Sequence, residues 1–130
     1  MSPISMVDKV PPKVAFLGPE GMYTHQISIA AFNRFGTGVE YVAKESIAET
    51  FRAIPSEASI AVLPVENSIF GTVIETLDLL HLLEVRKEKV IAGEVTLQVQ
   101  HCLLAAQGTK LEDIGNVFSH EQALGQCSNY

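Results

Sequence analysis

Residues 59–80, SIAVLPVENSIFGTVIETLDLL, decide how the chain is read. Ile60, Ala61, Val62 and Leu63 form an unbroken apolar run, the pattern of a short strand covered on both faces. Glu66, Asn67 and Ser68 then make a polar corner. Around and beyond Gly71 and Thr72, apolar residues recur as Ile69, Val73, Leu77 and Leu80, a helical spacing. A buried strand leading through a polar corner into a helix is half of a βαβ unit. Such sheets bind ligands beyond the carboxyl ends of their strands. Residues 66–72 are therefore the first candidate for a small-molecule site, with Thr72 placed at the start of the helix, where the dipole favours an anion.

Two similar units come before it. Residues 13–17 (KVAFL) read as a buried strand, followed by GPEG at 18–21. A helix is expected from about residue 24 to 35, with Ile27, Ala31 and Phe35 on one face and Gly36 and Gly38 at its end. Residues 39–43 are a third strand candidate. Ser46 and Glu49 have the spacing of a capping box, and Ile47, Phe51 and Ile54 make a helical face that stops at Pro55. Three strand–helix units in succession predict a parallel sheet with helices on its faces, strands 13–17 and 60–63 sharing that sheet.

The rhythm changes at Val95. Val95, Leu97 and Val99 alternate with Thr96, Gln98 and Gln100, and the pattern runs on to Ala105. Period two predicts a strand exposed on one face, long enough to cross between two lobes. After a turn at Gly108, residues 116–119 (NVFS) read as a strand entering a helix at Glu121. The expected organisation is an α/β chain with a tail at 1–12, a first lobe at 13–93, and a crossover strand with an unfinished second lobe at 94–130.

Composition narrows the function. The chain has 130 residues, 47% hydrophobic, with a net charge of −6. That balance excludes a general nucleic-acid surface, which needs clustered Lys and Arg. Arg86, Lys87 and Lys89 alternate with Glu84 and Glu88 and read as a solvated turn. No apolar run is long enough to span a bilayer, and residues 1–12 lack the features of a signal or transit peptide. Cys102 and Cys127 have no CxxC spacing, which suits a reducing cytoplasm. The four histidines, His25, His81, His101 and His120, lack the close spacing of zinc ligands. No metal, cofactor, nucleic-acid or membrane partner is expected.

Each polar motif also has a purely structural account. GPEG before a helix resembles a phosphate cradle, but it lacks the Lys-Ser/Thr of a P-loop and the third glycine of a dinucleotide fingerprint, and composition favours a tight strand-to-helix turn. Asn67 tolerates a left-handed turn, and Ser68 is a good cap. Ser119 and Gln122 have the spacing of a capping box, with Gln126 one turn beyond Gln122 on the same helical face. A Cys–His nucleophile pair using Cys102 or Cys127 has no supporting triad signal.

Four stretches together go further. GPEGMYTHQ, PVENSIFGTVIETLDLL, GEVTLQVQHCLLA and VFSHEQALGQC are similar, in order and spacing, to the signature stretches of the prephenate dehydratase family. The resemblance runs from Val14 to the last residue. It implies a bilobed fold like that of type II periplasmic binding proteins, with the substrate in the cleft between lobes. It also implies a cofactor-free lyase of L-phenylalanine biosynthesis that converts prephenate to phenylpyruvate, releasing water and carbon dioxide, and that self-associates at full length. By the same resemblance, Glu66, Asn67, His101, Ser119, His120 and Gln126 match positions of the family's site motifs, and Ser68, Thr72 and Gln122 stand beside them as further hydrogen-bonding groups.

The chain departs from the pattern in places. Met22 stands where the family has a small hydroxyl residue, and Glu121 where it commonly has Pro. The Thr-Arg-Phe motif, to which the family's proton donor belongs, does not occur in these residues. The chain alone is accordingly expected not to dehydrate prephenate at an enzymatic rate. Two other readings stand beside the first: an arogenate dehydratase, and a non-catalytic small-anion-binding module that keeps the cleft without the acid.

Overall fold

The computed structural model describes residues 11–68, 71–82 and 88–127, and its sheet is built on β1 (Lys13–Leu17). Val14, Ala15 and Phe16 are each 0% exposed. β1 is flanked on both edges by parallel neighbours, β2 (Glu40–Lys44) and β3 (Ile60–Val62), in the order β2-β1-β3. Val14 lies opposite Tyr41 on one side and Ile60 on the other. The expected parallel sheet is present, with strands 13–17 and 60–63 side by side. The strand buried on both faces, however, is β1. Ile60, Ala61, Val62 and Leu63 are only half-buried, because β3 lies on the outer side of β1 in this sheet.

α1 (Tyr23–Phe32) starts and stops earlier than expected, and a 3-10 segment, Asn33–Gly38, continues from it. Its buried stripe is Thr24, Ser28 and Phe32, with Ile27, Ala31 and Phe35 half-buried beside it. Two hydroxyls can enter this stripe because the backbone satisfies them. Thr24 Oγ1 donates to the Leu17 carbonyl, and Ser28 Oγ donates to that of Thr24 at 2.6 Å. Gly36, at φ 72°, turns the chain toward β2 in a conformation that glycine adopts without steric cost.

α2 (Ile47–Arg52) begins as its sequence specifies. Ser46 is the N-cap, and its side chain accepts from the Glu49 amide at 3.1 Å. The return arm of the box is shifted by one residue, since the Glu49 carboxylate accepts from the Glu45 amide at 3.2 Å. Ile47, Phe51 and Ala53 are buried. Lys89 docks here, its Nζ donating to the Phe51 carbonyl at 3.0 Å and lying 4.2 Å from the Phe51 ring centroid. It is thus held on α2, not in a solvated turn. Glu84, Arg86 and Lys87 of that expected turn lie outside the described residues, as do Ile69 and the tail expected for residues 1–12 as far as residue 10.

After β3 the chain forms a short hairpin, β4 (Glu66–Asn67) and β5 (Gly71–Thr72), and then α3 (Ile74–His81). Every buried apolar side chain among the described residues lies between Pro12 and Ala58. No helix among the described residues is long and apolar enough to cross a membrane.

The chain divides into two compact units, one ending at Leu97 and the other beginning at Gln98. The long strand expected at 95–105 is absent: the described sheets are β2-β1-β3 and β4-β5, and these residues belong to neither. Only a trace of the alternation survives as burial: Leu97 and Val99 are half-buried between exposed Thr96, Gln98 and Gln100, while Val95 and residues 101–105 are exposed. Period two here marks only two covered side chains. It does not supply the neighbouring backbone that makes a strand. Residues 116–119 are likewise not a strand, and Phe118 is 91% exposed. The second unit does form the turn at Gly108, where the Thr109 amide donates to the Ala106 carbonyl at 3.1 Å, a 3-10 turn (Leu111–Asp113), and α4 (Glu121–Gln126).

Candidate functional site

In the first unit, the polar corner is a hairpin and not a direct strand-to-helix turn. Glu66 pairs with Thr72 and Asn67 with Gly71, antiparallel. Gly71 has φ 80°, the left-handed conformation that a tight return needs. Thr72 is therefore a strand residue, and the helix begins only at Ile74 after Val73, so the helix-start role expected for Thr72 does not hold. Glu66, Ser68 and Thr72 are exposed, and Asn67 is half-buried.

Two ties hold the base of this hairpin. The Val73 amide donates to the Val65 carbonyl at 2.8 Å. Thr76, fully buried on α3, donates its hydroxyl to the Pro64 carbonyl at 2.6 Å. The hairpin itself has only two residue pairs, so these flanking bonds set where Glu66 and Asn67 stand.

In the second unit, the structure brings together two predicted residues from separate motifs. His101 Nε2 lies 2.5 Å from Gln126 Oε1. Gln126 closes α4 and is half-buried, whereas His101 is exposed. Ser119 and His120 are exposed residues leading into α4. The first helical bond, from the Leu124 amide at 3.1 Å, is accepted by the His120 carbonyl. An N-cap carbonyl accepts that bond, so the cap is His120 and not Ser119, and the expected Ser119 capping box is displaced. Gln122 belongs to α4, and its side chain lies outside the described residues.

A further arrangement lies at the GPEG loop. Three consecutive residues of α1 grip the segment before it. Thr24 donates to the Leu17 carbonyl, His25 Nδ1 accepts from the Gly21 amide at 2.9 Å, and Gln26 Nε2 donates to the Gly21 carbonyl at 3.1 Å. The His25 ring stacks on Phe16 of β1, centroids 4.6 Å apart. From the other side, the Gly18 amide donates to the Lys44 carbonyl at 2.8 Å. GPEG is thus fixed at both ends. The available signal was the four-residue step from Gly21 to His25, one helical turn. Next to this loop, burial raises the Tyr41 phenol above its ordinary value.

Comparison with known proteins agrees with the motifs. The family model described as prephenate dehydratase matches residues 14–130. The chain is 42% identical over 121 residues to a bifunctional chorismate mutase/prephenate dehydratase of Pseudomonas aeruginosa, an alignment covering 92% of this chain and 31% of that protein. It is 39% identical over 118 residues to arogenate dehydratase 2 of Petunia hybrida, covering 90% of this chain and 28% of that protein. Among solved structures, prephenate dehydratase from Streptococcus mutans aligns with TM-score 0.48 and 40% identity, covering 52% of this chain and 34% of that one. The chain thus spans less than a third of the length of these curated relatives. With its matched residues running from Val14 to Tyr130, it belongs to the prephenate dehydratase family.

Proposed function

We propose that this chain binds prephenate and serves its decarboxylating dehydration to phenylpyruvate, a lyase step in L-phenylalanine biosynthesis. The observation that carries the reading is the meeting of His101 and Gln126, which come from two of the four family motifs. Prephenate is a dianion with a ring hydroxyl opposite a ring carboxylate. Loss of both makes the ring aromatic, so the drive lies in the substrate. The protein's task is to hold the dianion, orient it, and assist departure of the hydroxyl.

On this reading, Asn67, Ser68, Thr72, Ser119, His120, Gln122 and Gln126 are hydrogen-bonding partners for the substrate. Glu66 suits the ring hydroxyl, since a carboxylate opposed to the substrate's own would repel it. The fold belonging to this reading is the two-lobed, periplasmic-binding-protein-like one. A cytoplasmic setting belongs to it as well and suits the two free cysteines, while self-association of the full-length protein rests on the family resemblance. The Petunia hybrida relative supports a second reading, in which arogenate, with an amino group in place of the ketone, is the substrate.

Calorimetric titration of the chain with prephenate, and separately with arogenate, tests the proposal. Saturable prephenate binding, displaced by phenylpyruvate, is expected. Asn67→Ala should weaken it at least tenfold, about 1.4 kcal/mol, with the fold retained. Absence of binding at millimolar prephenate refutes the reading, and tighter binding of arogenate selects the second one. Unchanged affinity in a destabilised Asn67→Ala would make Asn67 a turn residue only.

A further inference from the structure

The geometry points to His101 as a positioning residue that serves the substrate through Gln126. It fixes the Gln126 amide so that the NH2 group, and not the carbonyl, is left for a substrate carboxylate. This rests on the reading of Gln126 as a substrate-binding residue.

The atom of Gln126 that faces the ring is Oε1, 2.5 Å from His101 Nε2. An amide oxygen only accepts, so the ring nitrogen donates. The neutral Nε2–H tautomer and the imidazolium both carry that donor, so the bond survives in either protonation state. A glutamine amide has two chemically opposite ends, a donor pair and an acceptor. A carboxylate can use the first and is repelled by the second. Left alone, the side chain would offer both ends, because only its backbone is fixed, by α4 and by the Cys127 amide bonds to the Ala123 and Leu124 carbonyls at 3.2 and 3.1 Å. With Oε1 engaged, one orientation is selected before any ligand arrives, which removes an ordering cost from binding. His101 is exposed, so replacing it opens no cavity in a core.

The test is an NMR titration of the 15N-labelled chain with prephenate. Before ligand is added, the His101 ring should show a protonated Nε2. Prephenate should then shift the Gln126 side-chain NH2 signals. His101→Phe, which removes the donor, should weaken binding about tenfold, the scale of one hydrogen bond. His101→Gln, whose amide can donate to the same oxygen, should recover most of that loss. The backbone spectra of both variants verify that they fold. An unprotonated Nε2 with Gln126 as the donor overturns the inference. So does unchanged affinity in His101→Phe, or failure of His101→Gln to recover it. Shifts at Asn67 with none at Gln126 refute the inference and leave prephenate binding standing, whereas no shift anywhere refutes both.

Discussion

Thr76→Val is the most direct probe of what holds the polar hairpin. The side chain is 0% exposed and its hydroxyl donates to the Pro64 carbonyl at 2.6 Å. Valine has nearly the same volume, so the substitution leaves no cavity. Its cost is the stranding of the Pro64 carbonyl, which for a buried polar group is about 1–3 kcal/mol. Pro64 is itself half-buried, which puts the expected loss in the lower half of that range, about 1.5 kcal/mol. With a urea slope of about 1.5–2 kcal/mol per molar, the unfolding midpoint should fall by somewhat under about 1 M. Amide exchange at Val73, whose bond to Val65 is the neighbouring tie, should accelerate. Thr76→Ser keeps the hydroxyl and loses one methyl, a smaller cost of about 0.8 kcal/mol. A Thr76→Val protein as stable as the original, with Val73 exchange unchanged, would show that this hydroxyl does not hold the hairpin.

Two further outcomes are expected. His25→Phe keeps an aromatic ring against Phe16 but removes the acceptor for the Gly21 amide, so exchange of that amide should rise by roughly two- to tenfold, while His25→Asn, which restores an acceptor near Nδ1, should reverse part of the rise. Burial raises the Tyr41 phenol, so its contribution to stability is present below its unfolded value of about 10 and is lost as pH rises through the folded value; the urea midpoint should drop less between pH 9 and pH 11 in Tyr41→Phe.

What could be read from the sequence followed from which signals are local. The Ser46 cap depends on residues within one turn, and it forms. The parallel sheet follows from repeated strand–helix units, and it forms with β1 and β3 in one sheet as expected, there as direct neighbours. The hairpin was missed because two-residue strands carry no periodicity, so the corner and the following helix read as continuous. The buried stripe of α1 was missed because Thr24 and Ser28 count as polar, although backbone carbonyls make their burial possible. At 95–105 the alternation matched the covering of Leu97 and Val99 alone, while Val95 and residues 101–105 are exposed and the backbone forms no strand. In the candidate site, His101 and Gln126 were legible as motif members. Their contact was not, since it joins residues far apart in the chain. For His25, metal-ligand spacing is uninformative, because it does not detect a histidine holding a loop.

The order β2-β1-β3 has a consequence for how the protein comes to be made. Both ladder partners of β1 follow it in the chain: Val14 must wait for Tyr41 and then for Ile60. No sheet hydrogen bond of β1 is local, so nucleation carries the loop-closure cost of long-range pairing before any contact repays it. During synthesis the apolar KVAFL segment emerges without its ladder partners and is open to misassociation until β3 has left the ribosome. Slowing translation between β1 and β3 should therefore increase aggregation, whereas slowing it after α3 should not. The residues most deeply covered in the finished sheet are those left bare longest while it is being built.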